Sequence, residues 1–269
     1  MLLDLTNRYT QTHMPWVAHD RNKVNLYAFC VRLQNIWKIH YAGEDGVVHR
    51  LQTGLADDVY ECAPVASFDS LTHEWYISFV AGNSVEHPRL SLYYMKLTDT
   101  TAHVVIEDIL TGFFMDDKHT GYVRYGNIIS YGALIRPNVL KLLKAVKIFC
   151  LRPYKGSGLI ASYTSAKDFE HLHTLVFNPS TKQAVLLTDT SENIPLYKAC
   201  YDGHDWYYAQ RVGDDLEDRR IVRADDLNVT PVDFDEYVEI GDHIEDLDLR
   251  VTNRRPLEAI LFDLPKELR

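Results

Sequence analysis

The sequence predicts an all-β protein, a β-propeller of five blades, each a mostly four-stranded antiparallel sheet. Three observations carry this. First, Glu74–Gly82 (EWYISFVAG) and Asp205–Gly213 (DWYYAQRVG) share an acidic residue, Trp-Tyr, and a glycine seven places after the tryptophan, 131 residues apart. That distance is close to three units of about 44 residues, the length of a propeller blade. Second, Arg32-Leu33-Gln34-Asn35-Ile36-Trp37 reappears as Arg124-Tyr125-Gly126-Asn127-Ile128-Ile129, 92 residues later, which is two units of about 46. Third, Met95–Val105 and Leu175–Val185 both read as a strand, a polar turn and a second strand.

Strands are expected wherever alternating or aromatic runs occur. In order these are 24–33, 36–41, 60–68, 75–80, 90–97, 103–106, 123–124, 127–131, 147–151, 159–163, 173–177, 184–187, 194–201, 206–211 and 220–224. Turns fall at Glu44-Asp45-Gly46, Asp69-Ser70, Pro179–Lys182 and Tyr201-Asp202-Gly203. One helix-like stretch, Val139–Val146, is short for a helix, and the strand pattern is weakest from Ala133 to Lys155. No linker divides the chain, so residues 1–269 read as one propeller domain. The apolar segments Leu2–Leu5 and Leu257–Leu264 are the candidates to share a blade and close the ring, which would remove exposed sheet edges.

Composition fits this fold. With 17 Tyr, 10 Phe and 4 Trp, the chain favours strands over helices. Its uncharged runs fall short of the roughly 20 apolar residues that span a bilayer, so membrane insertion is not expected. The opening Met1-Leu2-Leu3-Asp4-Leu5 has no basic region and is broken by Asp4, so no signal peptide is expected and synthesis is assigned to a cytoplasm. Cys30, Cys62, Cys150 and Cys200 lack close metal-type spacing and have apolar neighbours, which points to buried reduced thiols.

The net charge of −10 is local. Between Asp214 and Asp248 stand fourteen acidic residues against Arg219, Arg220 and Arg223, leaving the rest of the chain near neutral. Such a stretch disfavours duplex nucleic acid, whose phosphates need basic contacts. Asp242, Glu245, Asp246 and Asp248 are calcium candidates, but they lack the alternation and central glycine of an EF-hand loop, and a solvated acidic face is the simpler reading. His171 and His173 would share one strand face and could contribute two zinc ligands, with no third in view; packing is again simpler. Trp37, Trp75 and Trp206 read as core residues between blades rather than sugar platforms. There is no Gly-rich phosphate loop, nucleophile elbow or paired-Cys motif. Neither a cofactor nor a metal is expected.

Two segments resemble the blade text of five-bladed glycosidases of the arabinanase and β-xylosidase type. Cys62-Ala63-Pro64-Val65-Ala66-Ser67-Phe68-Asp69 followed by Glu74-Trp75-Tyr76-Ile77-Ser78-Phe79 is similar to their Ala-Pro strand start and aromatic pair. Glu192-Asn193-Ile194-Pro195-Leu196-Tyr197-Lys198, with Asp202-Gly203 and Trp206-Tyr207-Tyr208, looks like their Glu-Gly-Pro segment, where the Glu is the general acid. The resemblance implies Glu192 as acid and offers Asp20, in His19-Asp20-Arg21, as base. It also departs from the family: Val65 stands where an Asp beside Ala-Pro tunes the acid, and Asn193-Ile194 replaces a single Gly.

The favoured expectation is therefore a non-catalytic propeller that binds a protein partner or sits in a larger assembly, such as a virion or tail. One alternative is carbohydrate binding for receptor recognition through exposed loop aromatics such as Tyr9, Trp16 and Phe234. The other is a glycoside hydrolase acting on furanosides or xylosides.

Overall fold

A computed structural model describes residues 12–20, 22, 24–33, 36–82, 90–154, 157–189, 197–201, 206–211, 219–223 and 227–241. They form antiparallel sheets in a propeller arrangement. The first sheet is β1 (Thr12–His19), β2 (Asn25–Leu33), β3 (Ile36–Ala42) and β4 (Val48–Arg50), and the second is β5 (Tyr60–Asp69), β6 (Glu74–Gly82), β7 (Leu90–Lys96) and β8 (His103–Ile109). The third is built on β9 (Thr111–Asp116), β10 (His119–Val123), β11 (Ile128–Gly132) and β12 (Asn138–Leu142). β13 (Ala145–Tyr154), β14 (Gly158–Ser165), β15 (Asp168–Asn178) and β16 (Gln183–Asp189) make the fourth, and β17 (Tyr197–Tyr201), β18 (Trp206–Arg211) and β19 (Arg219–Arg223) a smaller fifth.

Neighbouring sheets meet through their first strands. β1 lies against β5, β5 against β9 and β9 against β13, while β17 touches both β14 and β1 and so returns the ring to its start. The first strand of each sheet is therefore the innermost.

The expectation of five four-stranded blades needs correction. The blade count is four rather than five: among the described residues four sheets have at least four strands, and the remaining sheet has three. The strands that follow β19 do not extend it. β20 (Leu227–Val232) pairs with β16, and β21 (Val238–Ile240), after the four-residue helix α1 (Phe234–Tyr237), pairs with β12. Both outer edges thereby gain a covering strand. The proposed closing segments Leu2–Leu5 and Leu257–Leu264 lie outside the described residues.

The helix-like stretch Val139–Val146 is β12, a turn at Leu143-Lys144 and the start of β13. Eight residues cannot repay helix nucleation on their own. As a strand, β12 gains ladders on both sides, to β11 and β21, while Val139, Leu140 and Leu142 are buried.

All three sequence repeats fall at equivalent places. Glu74–Gly82 is β6 and the other copy contains β18, each the second strand of its sheet. The Arg32 and Arg124 copies span the second hairpins of the first and third sheets, and the Met95 and Leu175 copies the third hairpins of the second and fourth.

Because each sheet packs on both faces, the strands near the axis are buried almost continuously, as β5 and β14 show. Phe79, Phe177, Ile39, Ile77, Leu92, Ile129, Leu140, Ile148 and Leu151 are fully buried, each contributing roughly 1.5–3 kcal/mol. At one close approach only glycine fits: a Cβ on Gly121 would stand 2.5 Å from Cε1 of Phe113, whose ring lies over the strand there. Cys30, Cys62 and Cys150 are buried thiols, none in a disulfide. Among the described residues no helix is long and apolar enough to cross a membrane.

Candidate functional site

In a propeller the usual place for chemistry is the axis, where the innermost strands present one unpaired edge. Every innermost strand here carries an extra residue that breaks its register with the next strand. These bulges fall between His13 and Trp16, between Cys62 and Val65, between Phe114 and Asp116, at two points in β13, and between Tyr197 and Cys200. Bulges of this kind increase twist and re-aim side chains. Ala63, in the second of them, takes a positive φ of 54°. Pro15, Pro64 and Pro153 lie on three of these strands. An edge strand tolerates proline because the missing N–H faces away from the ladder.

Carbonyls on such an edge need donors from elsewhere. Trp16 Nε1–H donates to the Ala66 carbonyl at 3.0 Å, joining β1 to β5, and the Ser67 hydroxyl donates to the Met115 carbonyl at 3.2 Å, joining β5 to β9. From β13, Arg152 reaches across the ring to donate through Nη1 to the Pro64 carbonyl. Its guanidinium lies over the Trp16 ring, 5.6 Å from the centroid, and the residue is 2% exposed. At this level the axis is occupied by Arg152 and Trp16, a buried cation on a buried indole.

The five innermost strands contain only three carboxylates, Glu61, Asp69 and Asp116. Glu61 is buried and fully engaged. It accepts from Lys38 Nζ at 3.2 Å, from the Thr53 hydroxyl at 2.8 Å and from the Ile39 amide at 3.2 Å. Asp69 closes the β5–β6 hairpin, accepting from the Leu71 amide and the Thr72 hydroxyl, each at 2.8 Å. These bonds favour the ionised form and hold its carboxyl below the usual range. Asp116 closes the β9–β10 hairpin through the Lys118 amide at 2.7 Å and the His119 amide at 2.8 Å, and also meets the His119 ring. Burial alone would raise the Asp116 carboxyl, but the bonds from the His119 ring and the Lys118 amide outweigh it and hold it low.

Asp20, the candidate base, has the same task one sheet earlier. Its Oδ1 accepts from the amides of Asn22 at 2.7 Å and Val24 at 2.8 Å, closing the β1–β2 hairpin. Asp20, Asp69 and Asp116 are one repeated turn residue, an Asx-type cap on the first hairpin of three successive sheets. Their separations of 49 and 47 residues are close to one repeat unit, a signal present in the sequence.

The candidate acid Glu192 and the calcium candidates Asp242, Glu245, Asp246 and Asp248 lie outside the described residues. His173 sits beside Asp168, 3.6 Å from its carboxylate, and against the Tyr163 ring; the side chain of His171 lies outside the description. No group of three or more metal-ligating side chains occurs among the described residues.

The proposed loop aromatics also change role. Trp16 is buried on the axis, Phe234 is buried as the first residue of α1 behind the Asp233 cap, and Tyr9 is outside the description. Trp75 begins the second strand of its sheet and packs on Phe68 at 5.0 Å. Trp37 lies on the third strand of its sheet, and both pack against the core. Sequence reasoning missed Arg152, since no local pattern marks a single arginine on an axial strand as buried.

No family model matches the sequence, and no curated protein matches it. Among solved structures, the chain is similar to the α-L-arabinofuranosidase from Lactobacillus brevis, with a TM-score of 0.44 and 11% identity over 83% of this chain and 92% of that one. It is also similar to the catalytic domain of the Coprinopsis cinerea GH62 α-L-arabinofuranosidase, with a TM-score of 0.48 and 11% identity over 84% and 92%. A glycosyl hydrolase from Bacteroides ovatus aligns with a TM-score of 0.37 and 9% identity over 83% and 84%.

Proposed function

We propose that this chain is a non-catalytic propeller that presents one face to a protein partner within a larger assembly, of which a virion or tail is the leading example. The observation that carries the reading is the commitment of the axial carboxylates. Glycoside hydrolysis needs a carboxylic acid and a second carboxylate flanking the scissile bond, about 5–9.5 Å apart. Glu61 is locked in a buried ion pair, and Asp69 and Asp116 are hairpin caps. Val65, at the position where the glycosidases resembled carry an Asp, is fully buried and apolar.

A second observation supports a docking face. In an antiparallel sheet the first and third hairpins leave at the same end, and in a propeller the innermost strands run in parallel. Val24, Val47, Leu71 and Ile135 all sit in first or third hairpins, so they share one face of the ring. All four are exposed, Leu71 at 88% and Ile135 at 97%. Apolar tips repeated on one face are what a partner surface would cover.

Two measurements test the reading. Arabinofuranoside and xyloside substrates should give no turnover above the blank; turnover that Glu192→Gln abolishes would establish the hydrolase instead. Amine cross-linking of the protein in its native source should capture partner through Lys118 and Lys182, which lie in hairpins of this face, and not through Lys144 or Lys167 at the opposite end. Equal capture from both ends would refute a docking face.

A further inference from the structure

We infer that Arg152 anchors a binding site for a small oxyanion on the ring axis. The argument starts from charge. A guanidinium taken out of water needs acceptors or a counter-charge to offset its lost hydration. Arg152 is almost fully buried, yet no aspartate or glutamate among the described residues forms an ion pair with it. Its neighbours are one carbonyl and one indole, the Pro64 oxygen and the Trp16 ring. Both are favourable to a cation, and neither neutralises it.

Geometry says which ligand would complete the site. The guanidinium carbon stands 5.6 Å from the Trp16 ring centroid, and Nη1 donates to the Pro64 carbonyl. Among the described residues no acceptor meets the Nε–Nη2 edge, and its two parallel N–H groups match a pair of oxygens on one centre. Carboxylates and phosphates present that pair. The three carboxylates native to the innermost strands are held by other partners, so none of them is available to serve. Among the described residues the fold has thus placed a cation on its axis with no acceptor on its two-toothed edge, which suits a ligand from outside. This site does not depend on the docking face, and either can fail without the other.

The test is thermal unfolding at fixed ionic strength, with chloride replaced by phosphate, acetate or glucuronate. A site of this kind raises the melting temperature by about 5 °C at an anion concentration a hundredfold over Kd. The rise should be specific to an oxyanion, absent in Arg152→Met, and shifted to at least tenfold higher concentration in Arg152→Lys, which keeps the charge and loses the fork. Phosphate acting alone would identify an inorganic or phosphorylated ligand, and glucuronate exceeding acetate a sugar acid. If Arg152→Met does not fold, the Arg152→Lys comparison and isothermal titration of the native protein decide. Equal melting temperatures in all four salts, or a rise that Arg152→Met retains, would overturn the site and leave Arg152 as a strut between blades.

Discussion

Lys38 and Glu61 meet at 3.2 Å with side chains only 3% and 1% exposed, joining β3 of the first sheet to β5 of the second. Lys38 also donates to the Ala56 carbonyl at 3.1 Å, and Thr53 and the Ile39 amide complete the Glu61 shell. The pair fixes the first blade interface by satisfying every charge it buries.

Breaking the pair from one side leaves a carboxylate buried without its cation. Lys38→Met is expected to cost about 3 kcal/mol in urea unfolding. Lys38→Met with Glu61→Gln removes both charges, and the Gln oxygen can still accept from the Ile39 amide while its NH2 donates to the Thr53 hydroxyl oxygen. The double variant should recover at least about 1 kcal/mol of that loss. Additive costs would show that the two residues do not act as a pair.

The hairpin aspartates supply a comparison within one molecule. Asp20→Ala, Asp69→Ala and Asp116→Ala should each lower the urea midpoint by a small and similar amount, since each loses turn hydrogen bonds at an exposed site. Asp→Asn keeps the acceptor oxygen and should stay close to the native protein. A much larger loss for Asp20 than for its two counterparts, under identical unfolding conditions, would mean that it has a task beyond the turn.

His40 gives a pH signature. It is buried on β3 with Nδ1 3.2 Å from the Lys38 carbonyl, and burial holds its imidazole below the ordinary value, with the Arg50 charge pushing the same way. A folded pKa below the unfolded one makes the unfolded chain the better proton acceptor. Stability is therefore full above about pH 6.5 and declines as pH falls through that value toward the folded pKa. Unfolding measured from pH 7.5 to 5 should show this slope, and His40→Gln should flatten it.

Much of the architecture was legible because its signals are local. The Trp-Tyr repeat located β6 and β18, and turn residues such as Asp69-Ser70 and Pro179–Lys182 marked hairpins where they occur. Alternation and turn chemistry need only a few neighbouring residues, so these assignments hold without knowledge of the rest of the fold. Val139–Val146 misled because a short apolar run is compatible with either helix or strand. The edges offered by β11 and β21 decided it.

The site was less legible. A carboxylate in sequence is a possible acid, base, ligand or cap, and only its donors choose among these. Asp20 reads in sequence as a candidate base, and the structure adds that its Oδ1 accepts from the amides of Asn22 and Val24; Trp16 reads as a loop aromatic, and the structure buries it against Arg152. The sequence by itself determined an all-β chain, its repeat unit and most of its hairpins, since each rests on short-range periodicity. The tertiary structure alone decided that β20 and β21 would cover the edges of β16 and β12, and that a cation from β13 would lie on the axis. Those outcomes depend on which edges and carbonyls remain unpaired once the sheets have met, a condition that no short stretch of chain contains.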